Sequence, residues 1–556
     1  MRGTRIVLSL ILAAAVSGRT AAQETHHHAS ATLVVGQTPA GAETPLYDNL
    51  GTYHMEITAA PVAQQYFEQG LRLTYGFNHD EAVKSFKEGV RADSTCAMCW
   101  WGIANALGPN INAPMDTAAV RPAYEANQRA LALASRATPR EQEYIAAQAK
   151  RYVAAPVADR TPLDSAYASA MKALMRRYQR DDDAATLYAE SLMDLRPWNY
   201  WTNAGKPLAP STLEQVTVLE RVVARNPNHP GACHFYIHAV EASNEAARAL
   251  PCSRRLQTLV PGAGHLVHMP THIYMRLGMW DQAVEHNERA IAADERFIQD
   301  RHPTGVYPIG YYPHNLDVMQ AALVMLGRSS DAIAASRKIA SIDSYDVALQ
   351  VPAVEWFSVK PLYALARFGR WEEILKAPAP PPQLRYGTGI WHYTRGLALA
   401  SLGKYDSAGV EHDSVAAIAS SIPPEVYASL NPAKSILAIA ERHLAAVISE
   451  KQGKPDVAMA TLKEGIALED GLTYDEPAGW YLPLRQPLGE LLLAAGKSKE
   501  AERIYRQDLV RFPDNGWSLR GLEASLRAQH RGAEAKEVAG QLHRVWAKAD
   551  VTIASQ

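Results

Sequence analysis

A glycine followed five residues later by alanine punctuates the second half of this 556-residue chain. The pairs are Gly278/Ala283, Gly327/Ala332, Gly403/Ala408, Gly453/Ala458 and Gly496/Ala501, with Gly369/Ile374 as a variant. Glycine accepts the left-handed backbone that ends a helix, and a small alanine lets the next helix approach closely. The pattern therefore predicts helical hairpins. One hairpin cannot bury its own apolar face, so successive hairpins must stack into a continuous core. The expected fold class is an all-α solenoid over roughly residues 46–550.

The segments RLGMWDQAVEHNERAI, SLGKYDSAGVEHDSVAAI and LLAAGKSKEAERIYRQDL resemble the turn and second helix of the tetratricopeptide repeat family. YFEQGLRLTYGFNHDEAVKSFKEGVRADS is similar, with Tyr66, Gly70, Ala82 and Phe86 at packing places. The resemblance implies a right-handed superhelix whose first helices line a concave groove, their second, fifth and ninth residues pointing inward. Glycine spacings of 34 to 50 imply several long linkers. The stretches CAMCWWGIANALGPNINAP, HMPTHIY, YYPHNLDVM and YDEPAGWYLPLRQPLG are similar to a bacterial and fungal subgroup of undefined function, which supports the fold and leaves the chemistry open. The expected organisation is a signal peptide over 1–22, a flexible leader over 23–45 and N-terminal repeats over 46–108. An irregular helical region follows over 109–225, then histidine-rich repeats over 226–345 and C-terminal repeats over 346–550.

Arg2 and Arg5 before the apolar run 6–16 and the small residues Ala21 and Ala22 read as a cleaved export signal, so the protein is expected to be periplasmic or secreted. No later segment is apolar enough to span a membrane. A net charge of −2 gives no reason to expect nucleic acid, which needs clustered Lys and Arg. Export suits a disulfide, and Cys233–Cys252, at the open ends of a predicted hairpin, is the favoured pair. Cys96 and Cys99 form a C-x-x-C outside any thioredoxin or haem context, so a second disulfide or two buried thiols is expected there.

His234 and His238 in CHFYIHAVE recur as His268 and His272 in HLVHMPTHIY after 34 residues, one repeat length. Residues four apart share a helical face, so each pair can offer two imidazoles to one ion. Counting back from the glycines brings His265 and His314 to the same surface, with Asp317 and Glu241 beside them. Imidazoles suit zinc or copper; the carboxylates would also admit iron or manganese. Binding needs neutral rings, so affinity is expected to fall as pH drops through about 6.5. Trp101, Asn105, Trp198, Trp201, Asp475, Glu476 and Arg485 are further candidates for lining the groove. No phosphate loop, nucleophile elbow or H-E-x-x-H is present, so no residue is assigned a catalytic role. Two functions follow. One is a scaffold or binding module that takes a peptide, protein or small ligand in its groove and carries a divalent metal. The other is a metal-dependent hydrolase or oxidase using the cluster.

Overall fold

A computed structural model describes residues 43–551 of the chain. The expected signal peptide and the histidine triplet 26–28 lie outside the described residues. The end of the expected leader does not: Thr44 is buried and donates to Glu81 on the helix His79–Ala92, so the packed body begins by residue 43.

The described chain is built from α-helices that pack on one another in sequence order. Its only strands are the two-residue pair Tyr427–Ala428 and Asn431–Pro432. All six punctuating glycines adopt positive φ, between 65° and 75°. Each is followed by a helix whose small or branched residue is fully buried: Ala283, Ala332, Ile374, Ala408, Ala458 and Ala501. The region 109–225 continues the same stacking, its helices from Thr117–Leu133 to Pro210–Arg225 packing in order. At the APAPPP segment, Trp371–Lys376 ends and Ala377 turns extended before Arg385–Ser401 begins, because proline cannot continue a helix.

The C-terminal hairpins fold back on the middle of the chain. Three tryptophan indoles donate across that seam: Trp280 to Pro513 O (2.8 Å), Trp517 to Val324 O (2.8 Å) and Trp546 to Met325 O (3.1 Å). Asp550 accepts from the backbone N–H groups of Ser329 and Ser330. The loop 473–484 then turns inward rather than outward, held by Asp475, which accepts from Ser429, Leu430 N and Asn431. The two largest apolar clusters span Leu50 to Tyr311 and Ile333 to Val538. The histidines sit where the two meet.

The cysteines correct one expectation. The disulfide in the structure joins Cys96 and Cys99, whose Cα atoms are 5.3 Å apart across the first turn of Ala97–Ala106. Cys233 and Cys252, the favoured pair, are free thiols. The helices Pro230–Val240 and Leu250–Leu259 nevertheless bring the two sulfurs within 2.7 Å, in a buried position. Oxidation on export is expected to close them. Alkylation of the denatured, unreduced protein should then label no cysteine; two labels, on Cys233 and Cys252, would show that the pair stays reduced.

Candidate metal centre

The helix Pro230–Val240 is buried at every position. Its sequence is apolar nearly all round, as a helix wrapped by others must be, so its two histidines point into the protein's interior. The segment 264–276 runs beside it as two short helices, Gly264–His268 and Pro270–Arg276, with the break at the proline. The first supplies His265 and His268, the second His272. His314 comes from the next hairpin, in Tyr312–Met325. Five of the six histidines are no more than 2% exposed, and His314 is half-buried. The histidines thus line a buried pocket instead of an exposed groove. The cavity, about 110 Å³, is lined by His238, His265, His272 and His314 together with Trp198, Tyr311 and Trp356.

Second partners fix the rings. His234 donates from Nδ1 to Tyr75 O (2.6 Å), and His268 from Nδ1 to Asn287 Oδ1 (2.6 Å). Glu241 accepts from His238 Nδ1 at Oε1 (2.9 Å) and from His272 Nδ1 at Oε2 (2.5 Å), and Glu476 also touches His272 Nδ1. With Nδ1 carrying the proton, the neutral rings of His234, His238 and His268 have their lone pair on Nε2, and His272 turns its Nε2 to the same side. Those Nε2 atoms point inward. His234 and His265 meet Nε2 to Nε2 at 3.1 Å, and His268 and His272 at 2.8 Å. His238 Nε2 and His265 Nδ1 are buried with no hydrogen-bond partner.

Burial, followed by repulsion from neighbouring histidines, holds His234, His238, His265, His268 and His314 well below the ordinary histidine pKa. These rings are neutral at physiological pH, the form that ligates metal. His272 goes the other way. Burial lowers it, but Glu476 and Glu241 outweigh that and raise it to about 10. Burial, then Glu241, lifts Glu476 to about 7. Without metal, His272 is therefore an imidazolium whose Nε2–H donates to His268.

Several candidates fall outside the centre. Asp317 stands outside the groups with metal-like spacing: its Oδ2 accepts from Lys360 Nζ (2.8 Å) and Tyr481 OH (2.6 Å), and its Oδ1 is buried without a partner. Trp101, expected at the groove, is core, packed between Phe67 and Tyr144, while Trp100 is the less buried of the two. Asn105 lies buried against Gln148. Trp201 spends its indole N–H on Ala239 O, and Arg485 pairs with Asp470. Asp475 holds the inward loop, as above, and with Glu476 lines the cavity. Trp198 does belong, standing edge-on to His238 with centroids 5.0 Å apart. Tyr75, Phe77, Asn287 and Tyr311 were not foreseen. Phe77 packs against His234, His238 and His265 from a residue at φ 56°, and Tyr311 against His265. No spacing ties these residues to the histidines; only the folding of distant repeats does.

The geometry moves the expected pH window. The depressed rings stay neutral well below 6.5, whereas His272 must lose a proton below about 10 before Nε2 can ligate. Metal affinity is therefore predicted to rise with pH from neutrality toward 10, by up to about tenfold per unit, with one proton released at His272. Calorimetry in buffers of different ionisation enthalpy measures that proton. Uptake without proton release, at an affinity independent of pH, would contradict the assignment of His272.

No protein-family model matches the chain, and no curated protein matches it. Solved structures align along most of its length at low identity. The human IFIT1 dimer with m7Gppp-AAAA is 11% identical, over 89% of this chain and 92% of that one, with a TM-score of 0.33. The APC/C hetero-tetramer Cut9–Hcn1 is 12% identical, over 87% and 76%, at 0.29. Naa15/Naa10 bound to HypK-THB is 12% identical, over 87% and 70%, at 0.20. Overlays this loose carry none of the assignment. By its own stacked hairpins, positive-φ glycines and buried alanines, the chain is a tetratricopeptide-like helical solenoid.

Proposed function

We propose that this protein is an exported metal-binding solenoid whose buried histidine cluster holds zinc or copper. The observation that supports it most is the pattern of proton positions. Outward acceptors take the Nδ1 protons of His234, His238, His268 and His272, the Nε2 atoms turn inward, and His238 Nε2 and His265 Nδ1 are left buried with no hydrogen-bond partner. Buried polar atoms without partners are costly, and a cation bound there removes that cost. Of the carboxylates, Glu241 is engaged on Nδ1 groups, Asp317 on Lys360 through one oxygen, and Glu476 on His272 Nδ1 at the cavity wall. A donor set made mainly of imidazole nitrogens suits zinc and copper. Export is part of this reading on the strength of residues 1–22.

Two kinds of action are compatible with such a centre, and the cavity favours one. A chamber of about 110 Å³ beside the histidines admits a small molecule and no peptide, which supports metal chemistry on a small ligand. The binding-module reading rests on a different place. A larger cavity, about 560 Å³, lies on the other side of the 473–484 loop, touches no histidine, and gathers Arg276, Arg367, Arg485 and Arg511. Asp470, Asp475 and Glu476 line it too, and Asp470 pairs with Arg485 and Arg511, so this cavity suits a polar ligand bearing groups of both signs.

Replacing His238 or His272 by alanine is expected to lower zinc and copper affinity at least 100-fold. Glu241→Gln, which turns one of two acceptors into a donor, is expected to lower it about 10- to 100-fold. His392→Ala, on a ring paired with Glu411 far along the chain, should change nothing. The readout is competition against a chromogenic chelator, with helical content followed by circular dichroism. Wild-type affinity in folded His238→Ala and His272→Ala would reject the metal centre.

A further inference from the structure

The six histidines divide into two sets of three. His234, His238 and His265 have ligand atoms within 4.8 Å of one another, and so do His268, His272 and His314. The sets draw on the helices unequally: 264–268 gives His265 to the first and His268 to the second. We propose that the chamber is a two-metal centre, one ion on each set, with a single small oxygen-donor ligand such as hydroxide bridging them. This rests on the metal reading above and specifies its nuclearity and ligand.

The first argument is capacity. A zinc or copper site takes three or four nitrogen donors; six inward-facing imidazoles exceed one such ion and fill two. The second is the spacing of the nitrogens. Two nitrogens about 2.0–2.1 Å from one ion at a tetrahedral angle stand about 3.3–3.4 Å apart. Each set holds one Nε2 pair close to that separation, 3.1 Å for His234/His265 and 2.8 Å for His268/His272. Each pair is the bite of one ion.

Proton positions distinguish the two sets further. In the second, both Nδ1 atoms face acceptors, so the Nε2 contact between His268 and His272 takes one further positive charge, the second proton of His272 or a metal ion. In the first, His265 can donate from Nε2 to His234, but its own Nδ1 and His238 Nε2 are then buried lone pairs without donors.

The sets are adjacent enough to act together. His238 and His272, one from each, have centroids 5.4 Å apart and are held by the two oxygens of the same Glu241 carboxylate. The group His238, Glu241 and His272 also has metal-like spacing, but its contacts run through Nδ1, which makes Glu241 the positioning residue of the pair and not its bridge. The bridging position is the cavity, lined by His238 and His265 from the first set and His272 and His314 from the second. Three protein ligands per ion leave a coordination position open, and a cavity this small brings a water-sized oxygen donor within reach of both.

The test counts tightly held metal. Full-length protein is stripped, reloaded with Cu(II) or Zn(II) alone, passed over a weak chelator to clear surface ions, and analysed for metal and for Cu(II) spin. Two equivalents are expected in the wild type, and one each in His265→Ala and His314→Ala. The spin of the two-copper protein should fall below half its copper content, because neighbouring Cu(II) ions bridged by an oxygen couple. One equivalent in the wild type, lost in both variants, would replace the pair by a single shared site. Two equivalents with full spin would place the ions apart, and two equivalents kept by both variants would place them outside the chamber. Each of these overturns the two-metal centre. No tight metal in the wild type would instead overturn the metal reading beneath it. Should a variant fail to fold, His265→Gln and His314→Gln keep the volume and serve in its place.

Discussion

Glu241 is the residue on which the centre depends. It is wholly buried at the end of the helix Pro230–Val240, and both of its oxygens accept imidazole N–H groups, one from its own helix and one from Pro270–Arg276. An isolated buried carboxylate would be costly. Here His272, raised to about 10 by Glu476 and Glu241 against the effect of burial, supplies the compensating charge. The same contacts fix the protons of His238 and His272 on Nδ1. A carboxylate behind a histidine is a standard means of setting tautomer and basicity at metal sites, and one carboxylate does so here for two rings in different sets.

The rest of the solenoid buries that arrangement. Three tryptophan-to-carbonyl hydrogen bonds and the Asp550 cap dock the last hairpins against residues 280–330. With the last hairpins docked there, the 473–484 loop reaches inward far enough for Glu476 to meet His272 and for Tyr481 to meet Asp317. Burial removes water from the imidazoles, which is why five of them stay neutral. An open groove would have left them near the ordinary histidine pKa, exposed to any passing cation.

The fold was legible because its signals are local. Gly278, Gly327 and their counterparts each end a helix by a backbone preference that one residue expresses, and the alanine five places on is buried for a reason confined to one hairpin. The inward direction of His234, His238, His268 and His272 was readable from repeat phase alone. What local signals could not supply was depth. Nothing near His272 in sequence announces Glu476, 204 residues later, and nothing near Asp317 announces Lys360. Trp101 was misplaced for the related reason that repeat phase does not tell a groove wall from the core of a neighbouring helix pair. The Cys233–Cys252 proximity followed from hairpin geometry, while the bonded pair is the one that needs only a single helical turn.

Anomalous diffraction at the metal edge, from crystals of the copper- or zinc-loaded protein, tests the central claim most directly. The account predicts anomalous density inside the chamber, bounded by the ring nitrogens of the two histidine sets, with Glu241 still on the Nδ1 side of His238 and His272. Density on surface carboxylates or on isolated rings such as His54 and His412, with none among the six buried histidines, would contradict it.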